Sequence, residues 1–257
     1  MSWGREERRV FQEALACGLE WLRPRIGFGL DDEVKARLVR YAEEMVAANQ
    51  EFNLTAITEP EAVAWKHFID SLLGVGVIGR PGGAGEWLAD LGAGAGFPGV
   101  VLAIATRWNC LEVESIRKKA AFLRRLGPLV EPAALDVWEG RAERLGRESK
   151  WRERLPVVVA RALARLDVVA EYGMPLLRAG GMLVAYKGPE GRDEVALLQG
   201  IKEELGIGEI RVIEEQLPEG WGVRLLIVVE KSKDCHPRYP RREGVPEKRP
   251  LGGAGIH

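Results

Sequence analysis

The chain has 257 residues, of which 46% are hydrophobic and 29% are charged, and its formal net charge is −1. This length and composition are typical of a globular protein with a substantial core, and the neutral balance argues against a protein that binds nucleic acid through overall positive charge. No apolar stretch approaches the ~20 residues of a membrane span, and the N-terminus lacks the apolar core of a signal peptide.

The cysteines and histidines are few and scattered. Three cysteines without metal-ligand spacing indicate a reducing cytoplasm, and His67, His236 and His257 are too dispersed to suggest a metal site. We therefore expect a cytoplasmic protein without a bound metal and without a membrane partner.

Basic residues are concentrated in two places. The segment from Lys231 to Arg249 contains seven Lys or Arg and three acidic residues. A second group of basic residues lies between Arg117 and Arg125. Such runs are either solvated faces or local patches that bind phosphates.

Helical periodicity predicts three helices at the start of the chain. The first covers Arg5–Leu22, and the second begins after Asp31, whose side chain can cap it. Thr58, with Glu61 three residues later, predicts a capping box for a third helix that runs to about Val77.

These patterns divide the chain into three regions. Residues 1–79 are predicted to be a helical appendage, residues 80–231 an α/β core, and residues 232–257 a tail rich in Pro and Arg. The tail is poor in apolar residues, so we expect it to be extended or partly disordered.

A glycine turn opens the core. The apolar strand Trp87–Leu91 is followed by four glycines within eight residues and then by an apolar helix, an arrangement that brings bare backbone against a nucleotide-like ligand. The segment Gly94–Gly99 formally matches the dinucleotide fingerprint G-x-G-x-x-G. However, the carboxylate of Asp90 repels a diphosphate and Pro98 removes an amide donor, so the turn favours a cationic ligand such as S-adenosylmethionine (SAM). A tight turn without a ligand is the remaining alternative.

The rest of the core alternates strands and helices. Strands are predicted at 110–114, 135–138, 156–160, 182–187, 209–214 and 223–230, and helices at 117–130, 163–177 and 192–205. Glu114 ends the second strand, where a carboxylate binds ribose hydroxyls in either kind of site. The last two strands are joined by a short connection, which requires antiparallel pairing. This pattern predicts the Rossmann-like seven-stranded fold of SAM-dependent methyltransferases, since a two-halved dinucleotide fold would continue with βαβ units.

An ordered set of motifs covers most of the chain. The sequence resembles the bacterial 16S rRNA (guanine-N7)-methyltransferase family RsmG, also called glucose-inhibited division protein B. The motifs that carry this resemblance are Asn53-Leu-Thr55, His67-Phe-Ile-Asp-Ser71, Asp90-Leu-Gly-Ala-Gly-Ala-Gly-Phe-Pro-Gly99, Ser115-Ile-Arg-Lys-Lys-Ala-Ala-Phe-Leu123, Ala160-Arg-Ala162, Lys187-Gly188 and Tyr239-Pro-Arg-Arg-Glu-Gly-Val-Pro-Glu-Lys-Arg-Pro-Leu251.

The resemblance implies a cofactor, a substrate and two sets of residues. It implies SAM as methyl donor, S-adenosylhomocysteine as product, and a guanine in the 530 loop of 16S rRNA, in the small ribosomal subunit, as acceptor; we expect a monomer. The cofactor residues that it implies are Asp90, Gly92, Gly94, Phe97, Glu114, Ser115, Ile116, Ala142, Glu143 and Arg161. The RNA-binding candidates are Arg117, Lys118, Lys119, Lys187, Arg241 and Arg242.

Three positions depart from the family pattern. Glu114 stands where the family usually has Asp, Ile116 where a small or polar residue is common, and Leu155-Pro156 where an acid is frequent. The first is expected to shift cofactor affinity modestly, and the others to change packing.

The residues after the fourth strand narrow the choice of methyl acceptor. Methylation of an exocyclic amine usually uses an Asn/Asp-Pro-Pro-aromatic run, but this position reads Ala160-Arg-Ala-Leu163. Methylation of a pyrimidine carbon needs a nucleophilic cysteine, and no cysteine lies in a recognisable nucleophile motif. Guanine N7 attacks through an in-plane lone pair without losing a proton, so it needs orientation more than a general base. Arg161, the candidate catalytic residue, would contact the base edge or backbone or lie against the cofactor; the alternative is a surface ion pair.

Other interpretations stay open from the sequence. The chain is also compatible with a small-molecule methyltransferase of the same fold, an NAD-dependent oxidoreductase or a non-catalytic RNA-binding module. His67 and Asp70 are neighbours on one helix face, either as a structural hydrogen bond or as part of the cleft wall.

Overall fold

The computed structural model describes residues 3–27, 29–83 and 85–253. His257 therefore lies outside the described residues. The chain divides into two compact units. The first unit comprises Met1–Glu86, Ala93–Glu112 and Ile116–Val137, and the second comprises Trp87–Gly92, Val113–Ser115 and Trp138–His257. The three-region division made from the sequence stays a prediction.

Two long helices begin the first unit. Helix α1 (Arg5–Ile26) continues past Pro24 and ends at Gly27, which adopts the left-handed conformation (φ 76°) that commonly terminates a helix. Helix α2 (Asp32–Asn49) begins where predicted, because the Asp31 side chain accepts a hydrogen bond from the amide of Val34 at 2.8 Å.

The third helical stretch is interrupted. It comprises α3 (Pro60–Val63), a π-helical turn (Ala64–Ile69), α4 (Asp70–Leu72) and α5 (Val75–Ile78). The predicted cap at Thr58 is wrong. Glu59 is the N-cap instead, and its carboxylate accepts from the amides of Glu61 and Ala62 at 3.2 and 2.7 Å. Pro60 occupies the first helical position, where a missing amide hydrogen costs nothing, and so fixes the cap one residue later than predicted.

Seven strands form one sheet in the order β3-β2-β1-β4-β5-β7-β6. The strands are β1 (Trp87–Leu91), β2 (Asn109–Glu114), β3 (Leu135–Glu139), β4 (Leu155–Arg161), β5 (Leu177–Lys187), β6 (Ile207–Leu217) and β7 (Gly222–Lys231). The helices between them are α6 (Gly99–Thr106), α7 (Arg117–Arg125), α8 (Gly127–Val130), α9 (Ala142–Leu145), α10 (Leu166–Gly173), α11 (Gly191–Glu194) and α12 (Lys202–Leu205), with 3-10 turns at Met174–Leu176, Val195–Ile201 and Pro218–Gly220.

The pairing in the second unit confirms the predicted fold. Strand β4 runs parallel to β1 and β5, whereas β7 runs antiparallel to both β5 and β6. The helix predicted over 117–130 is divided at Gly127-Pro128, because α7 ends at Arg125 and the shorter α8 begins at Gly127. The single helix predicted over 192–205 is wrong: its middle is a 3-10 segment that contains Gly200, a residue that weakens a helix interior.

The tail is packed against the second unit. Cys235 and Tyr239 are buried, and a short helix, α13 (Val245–Lys248), follows them. For residues 232–253 the predicted extended or partly disordered state is therefore wrong. Across the described residues, no helix has both the length and the apolarity that crossing a membrane requires.

Candidate functional site

The carboxyl ends of four strands meet in a row within the second unit. The parallel register pairs Leu91 of β1 with Ala160 of β4. The amide of Gly92 donates to the carbonyl of Val113 at 2.9 Å, and the amide of Gly140, just after β3, donates to the carbonyl of Glu114 at 3.0 Å. Ligands of open α/β sheets bind outside the carboxyl ends of the strands, at the point where the strand order reverses.

Gly92 occupies a position that strongly favours glycine. Its φ is +71°, and a Cβ atom there would lie 2.6 Å from the Cδ1 atom of Leu163, which follows β4. The backbone turn therefore lies directly against the segment after β4, and Ala162 in that segment has an unusual positive φ of 51°. Two strained or tightly packed turns thus face each other at the predicted cofactor edge.

Three predicted cofactor residues in this unit carry buried carboxylates. Asp90 is fully buried on β1, Glu114 is 6% exposed at the end of β2, and Glu143 is 2% exposed in α9. Because carboxylates accept from ribose hydroxyls and attract positive charge, this set fits SAM and would repel a diphosphate.

The remaining cofactor candidates of the second unit lie at the same strand ends. Ser115 is exposed directly after β2, and Ala142 is buried as the first residue of α9. Arg161 is partly exposed as the last residue of β4, in register with Tyr186. The structure thus brings together Asp90, Gly92, Glu114, Ser115, Ala142, Glu143 and Arg161 at the carboxyl ends of β1, β2, β3 and β4.

In the first unit, aromatic side chains from the N-terminal helices hold the glycine turn. The ring of Phe97 is 5% exposed and is stacked by His67, with ring centroids 4.7 Å apart, and by Tyr41, at 5.1 Å. The hydroxyl of Tyr41 also donates to the carbonyl of Ala95 at 2.5 Å. The sequence did not single out Tyr41 for this contact, because its only signal was a place on the apolar stripe of α2.

His67 belongs to a hydrogen-bonded chain in the same unit. Its Nε2 atom is 2.9 Å from the hydroxyl of Thr55, and Asn49 accepts from the amides of Leu54 and Thr55 at 2.7 and 2.9 Å. This contact supports a structural role for His67, which also stacks on a predicted cofactor residue. Asp70 is buried, 4% exposed, one turn later.

Other predicted residues of the first unit lie on its surface or in the turn. Ile116 is 51% exposed, and Arg117 and Lys118 are exposed at the start of α7, with Lys119 half-buried. Gly94 has a φ of 60° in the glycine turn.

Two of the RNA-binding candidates are engaged inside the second unit. Lys187 donates to the carbonyl of Ala164 and to the carboxylate of Glu194, both at 2.7 Å. Arg241 donates to Glu171, a fully buried carboxylate, which raises the pKa of the arginine above its ordinary value. Arg242, the next residue, is exposed. The RNA-binding roles of all these residues stay predictions.

The described residues offer no metal centre: none of their His, Cys, Asp and Glu side chains form a group of three or more that could hold an ion.

Burial raises the pKa of the Cys235 thiol despite the nearby ammonium of Lys231. This thiol is therefore not activated as a nucleophile.

Comparisons with known proteins identify relatives over most of the chain. Residues 34–216 match the family model of rRNA small subunit methyltransferase G. The ribosomal RNA small subunit methyltransferase G of Symbiobacterium thermophilum is 41% identical over 215 residues, which cover 79% of this chain and 84% of that protein. The protein of the same name from Roseiflexus sp. is 40% identical over 226 residues, covering 88% and 95%.

Solved structures that are more distant in sequence share the fold. A putative transferase from Pyrococcus horikoshii aligns with a TM-score of 0.51 at 16% identity, covering 70% of this chain and 67% of that one. An O-methyltransferase from Bacillus cereus, solved with S-adenosylhomocysteine, aligns with a TM-score of 0.51 at 15% identity, covering 74% and 91%. The family model and the sequence relatives confirm the predicted resemblance: the chain belongs to the rRNA small subunit methyltransferase G family.

Proposed function

We propose that this methyltransferase of small-subunit rRNA transfers the methyl group of SAM to N7 of a guanine in the 530 loop of 16S rRNA. The observation that carries the proposal is the row of strand ends in the second unit, where Gly92 follows β1, and Glu114 and Arg161 are the last residues of β2 and β4. This edge offers a ligand-binding turn, a buried carboxylate and an arginine.

The buried carboxylates give the cofactor its orientation. Glu114 would accept hydrogen bonds from the ribose hydroxyls, and Asp90 would orient the turn or attract the ammonium group. Ala142 and Glu143 would border the adenine, and Gly92 would let the backbone approach the methionine part. When bound, SAM supplies an electrophilic methyl carbon on a cationic sulfur.

The chemistry at guanine N7 asks little of the protein besides orientation. The N7 atom forms its new bond through a lone pair in the base plane and loses no proton, so no general base is required. The sequence at the end of β4 agrees with this, since it reads Ala160-Arg-Ala-Leu163 and has no Asn/Asp-Pro-Pro-aromatic run. Arg161 would hold the base edge or complete the cofactor cleft.

The RNA substrate also fits the distribution of charge. Recognition of one base in RNA normally uses an unpaired loop nucleotide, and phosphate contacts position the rest of the molecule. Arg117, Lys118, Lys119 and Arg242 are available for such contacts on the surface of their own units.

The test is methyl transfer from labelled SAM to 16S rRNA and to 30S particles that lack the modification, with the labelled base mapped. We expect label at N7 of one guanine in the 530 loop. The variants Arg161→Ala and Glu114→Ala should lose most of this activity while remaining folded, and Arg211→Ala, on the exposed side of β6, serves as the control. Label on another base would refute the proposed specificity. SAM binding without label on any RNA would point to a small-molecule acceptor, and binding of NAD instead would overturn the cofactor.

A further inference from the structure

A cavity of about 350 Å³ in the second unit lies between helix α9 and the returning tail. Four arginines and two glutamates line it: Glu143, Arg144, Arg147, Arg241, Arg242 and Glu243. Of these six residues, only Glu143 also belongs to the row of strand ends. The cavity is therefore a separate feature that borders the proposed adenine site.

The walls of this cavity are fixed by hydrogen bonds between α9 and the tail. The guanidinium of Arg147 donates to the carbonyls of Pro240 and Arg238 at 2.5 and 3.3 Å. In the opposite direction, the amide of Gly244 donates to Glu143 at 2.8 Å. Because both sides contribute donors and acceptors, Arg147 is held in place before any ligand binds, which lowers the entropic cost of binding.

The charges of the lining do not cancel. Arg241 is paired with Glu171, whereas Glu143 accepts only a neutral backbone amide and keeps its negative charge, so Arg147 and Arg242 together with Glu143 leave a positive balance. Arg144 and Glu243 are exposed and 3.7 Å apart, which is a weak, solvent-screened pair.

Two arginines therefore carry the positive charge of the cavity. Both Arg147 and Arg242 are exposed, and in the part of the chain that the structure describes neither is paired with a carboxylate. The acceptors of Arg147 are neutral carbonyls, so its charge is not compensated.

We propose that this cavity binds a backbone phosphate of the RNA substrate, with Arg147 and Arg242 as its cationic ligands. The guanidinium group is the side chain best suited to a phosphate, because its planar fork donates two parallel hydrogen bonds to the phosphate oxygens. A phosphate held here would anchor the RNA chain beside Glu143, at the border of the cofactor site. The inference rests on the proposed function in that it takes RNA as the substrate.

The experiment measures binding of the full-length protein to 16S rRNA over a series of salt concentrations. The variants are Arg147→Gln, Arg242→Gln and the double variant; Arg211→Gln, an exposed arginine on β6 outside the cavity, is the matched control. For each lost phosphate contact, the slope of log K against log salt should fall in magnitude by about 0.7 to 0.9. The KM for RNA should rise in the double variant, whereas the affinity for SAM and kcat at saturating RNA should stay at the wild-type level.

Several outcomes would overturn the inference. A wild-type salt slope and KM in the double variant would do so, as would an equal change in Arg211→Gln. If the double variant still binds RNA like the wild type but loses binding to an acidic peptide, the cavity binds a protein partner instead. Among the described residues the side chain of Arg242 has no hydrogen-bond or ion-pair partner, so Arg242→Gln tests the inference even where Arg147→Gln loosens the tail. If the wild type binds RNA but methylates none, the proposed function fails while the salt slopes still test the cavity.

Discussion

Arg241 ties the tail to a carboxylate that has no access to solvent. Its Nε and Nη2 atoms donate to the two oxygens of Glu171 at 2.8 and 2.5 Å, and its backbone amide donates to the same group at 2.8 Å. The side chain of Glu171 is 0% exposed and that of Arg241 is 24% exposed. We predict that this pair, and not RNA, is the principal contact of Arg241.

The cost of breaking the pair follows from its burial. The variant Arg241→Met keeps the length of the side chain but leaves the carboxylate of Glu171 buried with only a backbone amide as its known donor. Removing one partner of a buried ion pair costs about 3–5 kcal/mol. Because Arg241 is partly exposed and the amide remains, we expect about 3 kcal/mol at pH 7, which lowers the Tm of a chain of this size by roughly 6–12 °C.

Unfolding in urea, followed by circular dichroism, measures this loss directly. The matched control is Arg242→Met at the neighbouring exposed residue, which should leave the free energy of unfolding unchanged. Replacing both partners, as in Arg241→Met with Glu171→Leu, should recover most of the loss, because no charge is then left buried. Equal stability of Arg241→Met and the wild type would refute the reasoning.

Three further predictions concern the glycine turn, its aromatic support and the behaviour in acid. Gly92→Ala should weaken SAM binding at least tenfold by calorimetry, because φ is +71° and a Cβ atom would displace the side chain of Leu163. Tyr41→Phe removes the hydrogen bond to Ala95 and should cost about 1 kcal/mol of stability in urea. Burial alone would raise the pKa of Asp167, but the hydrogen bonds from Arg165 and from a tail amide lower it below its ordinary value. This stabilisation is present above the unfolded pKa of about 3.9 and is lost as the pH falls towards the lower folded pKa, so Asp167→Asn should flatten the acid side of a stability profile.

The strands were predictable because their signals are local. Each of the seven predicted apolar runs is a strand in the structure, and most observed strand ends differ from the predicted ends by a few residues. The glycine turn follows β1 as predicted. Parallel strands place their carboxyl ends at one edge of the sheet, so strand ends alone were enough to bring Asp90, Glu114 and Arg161 to neighbouring positions.

The tail was not predictable because its partners are distant in the sequence. Arg241 contacts a carboxylate 70 residues earlier, and Gly244 contacts one 101 residues earlier. Composition records only that the tail is polar and rich in Pro, which is also the signature of disorder. The same limit applies to Tyr41, whose hydroxyl reaches a carbonyl 54 residues later.

The buried carboxylates of the second unit explain why the tail is part of its core. Glu143, Asp167 and Glu171 are each nearly or fully buried, and each accepts a hydrogen bond from a tail amide. A buried carboxylate that loses its donors is strongly destabilising, so these three side chains are compatible with the fold only while the tail is in place. Deleting the tail would leave all three without those donors, and loss of RNA methylation in such a truncation would report unfolding as readily as lost RNA contacts. Single exposed arginines, such as Arg242, are therefore the positions at which RNA binding by the tail can be separated from its contribution to stability.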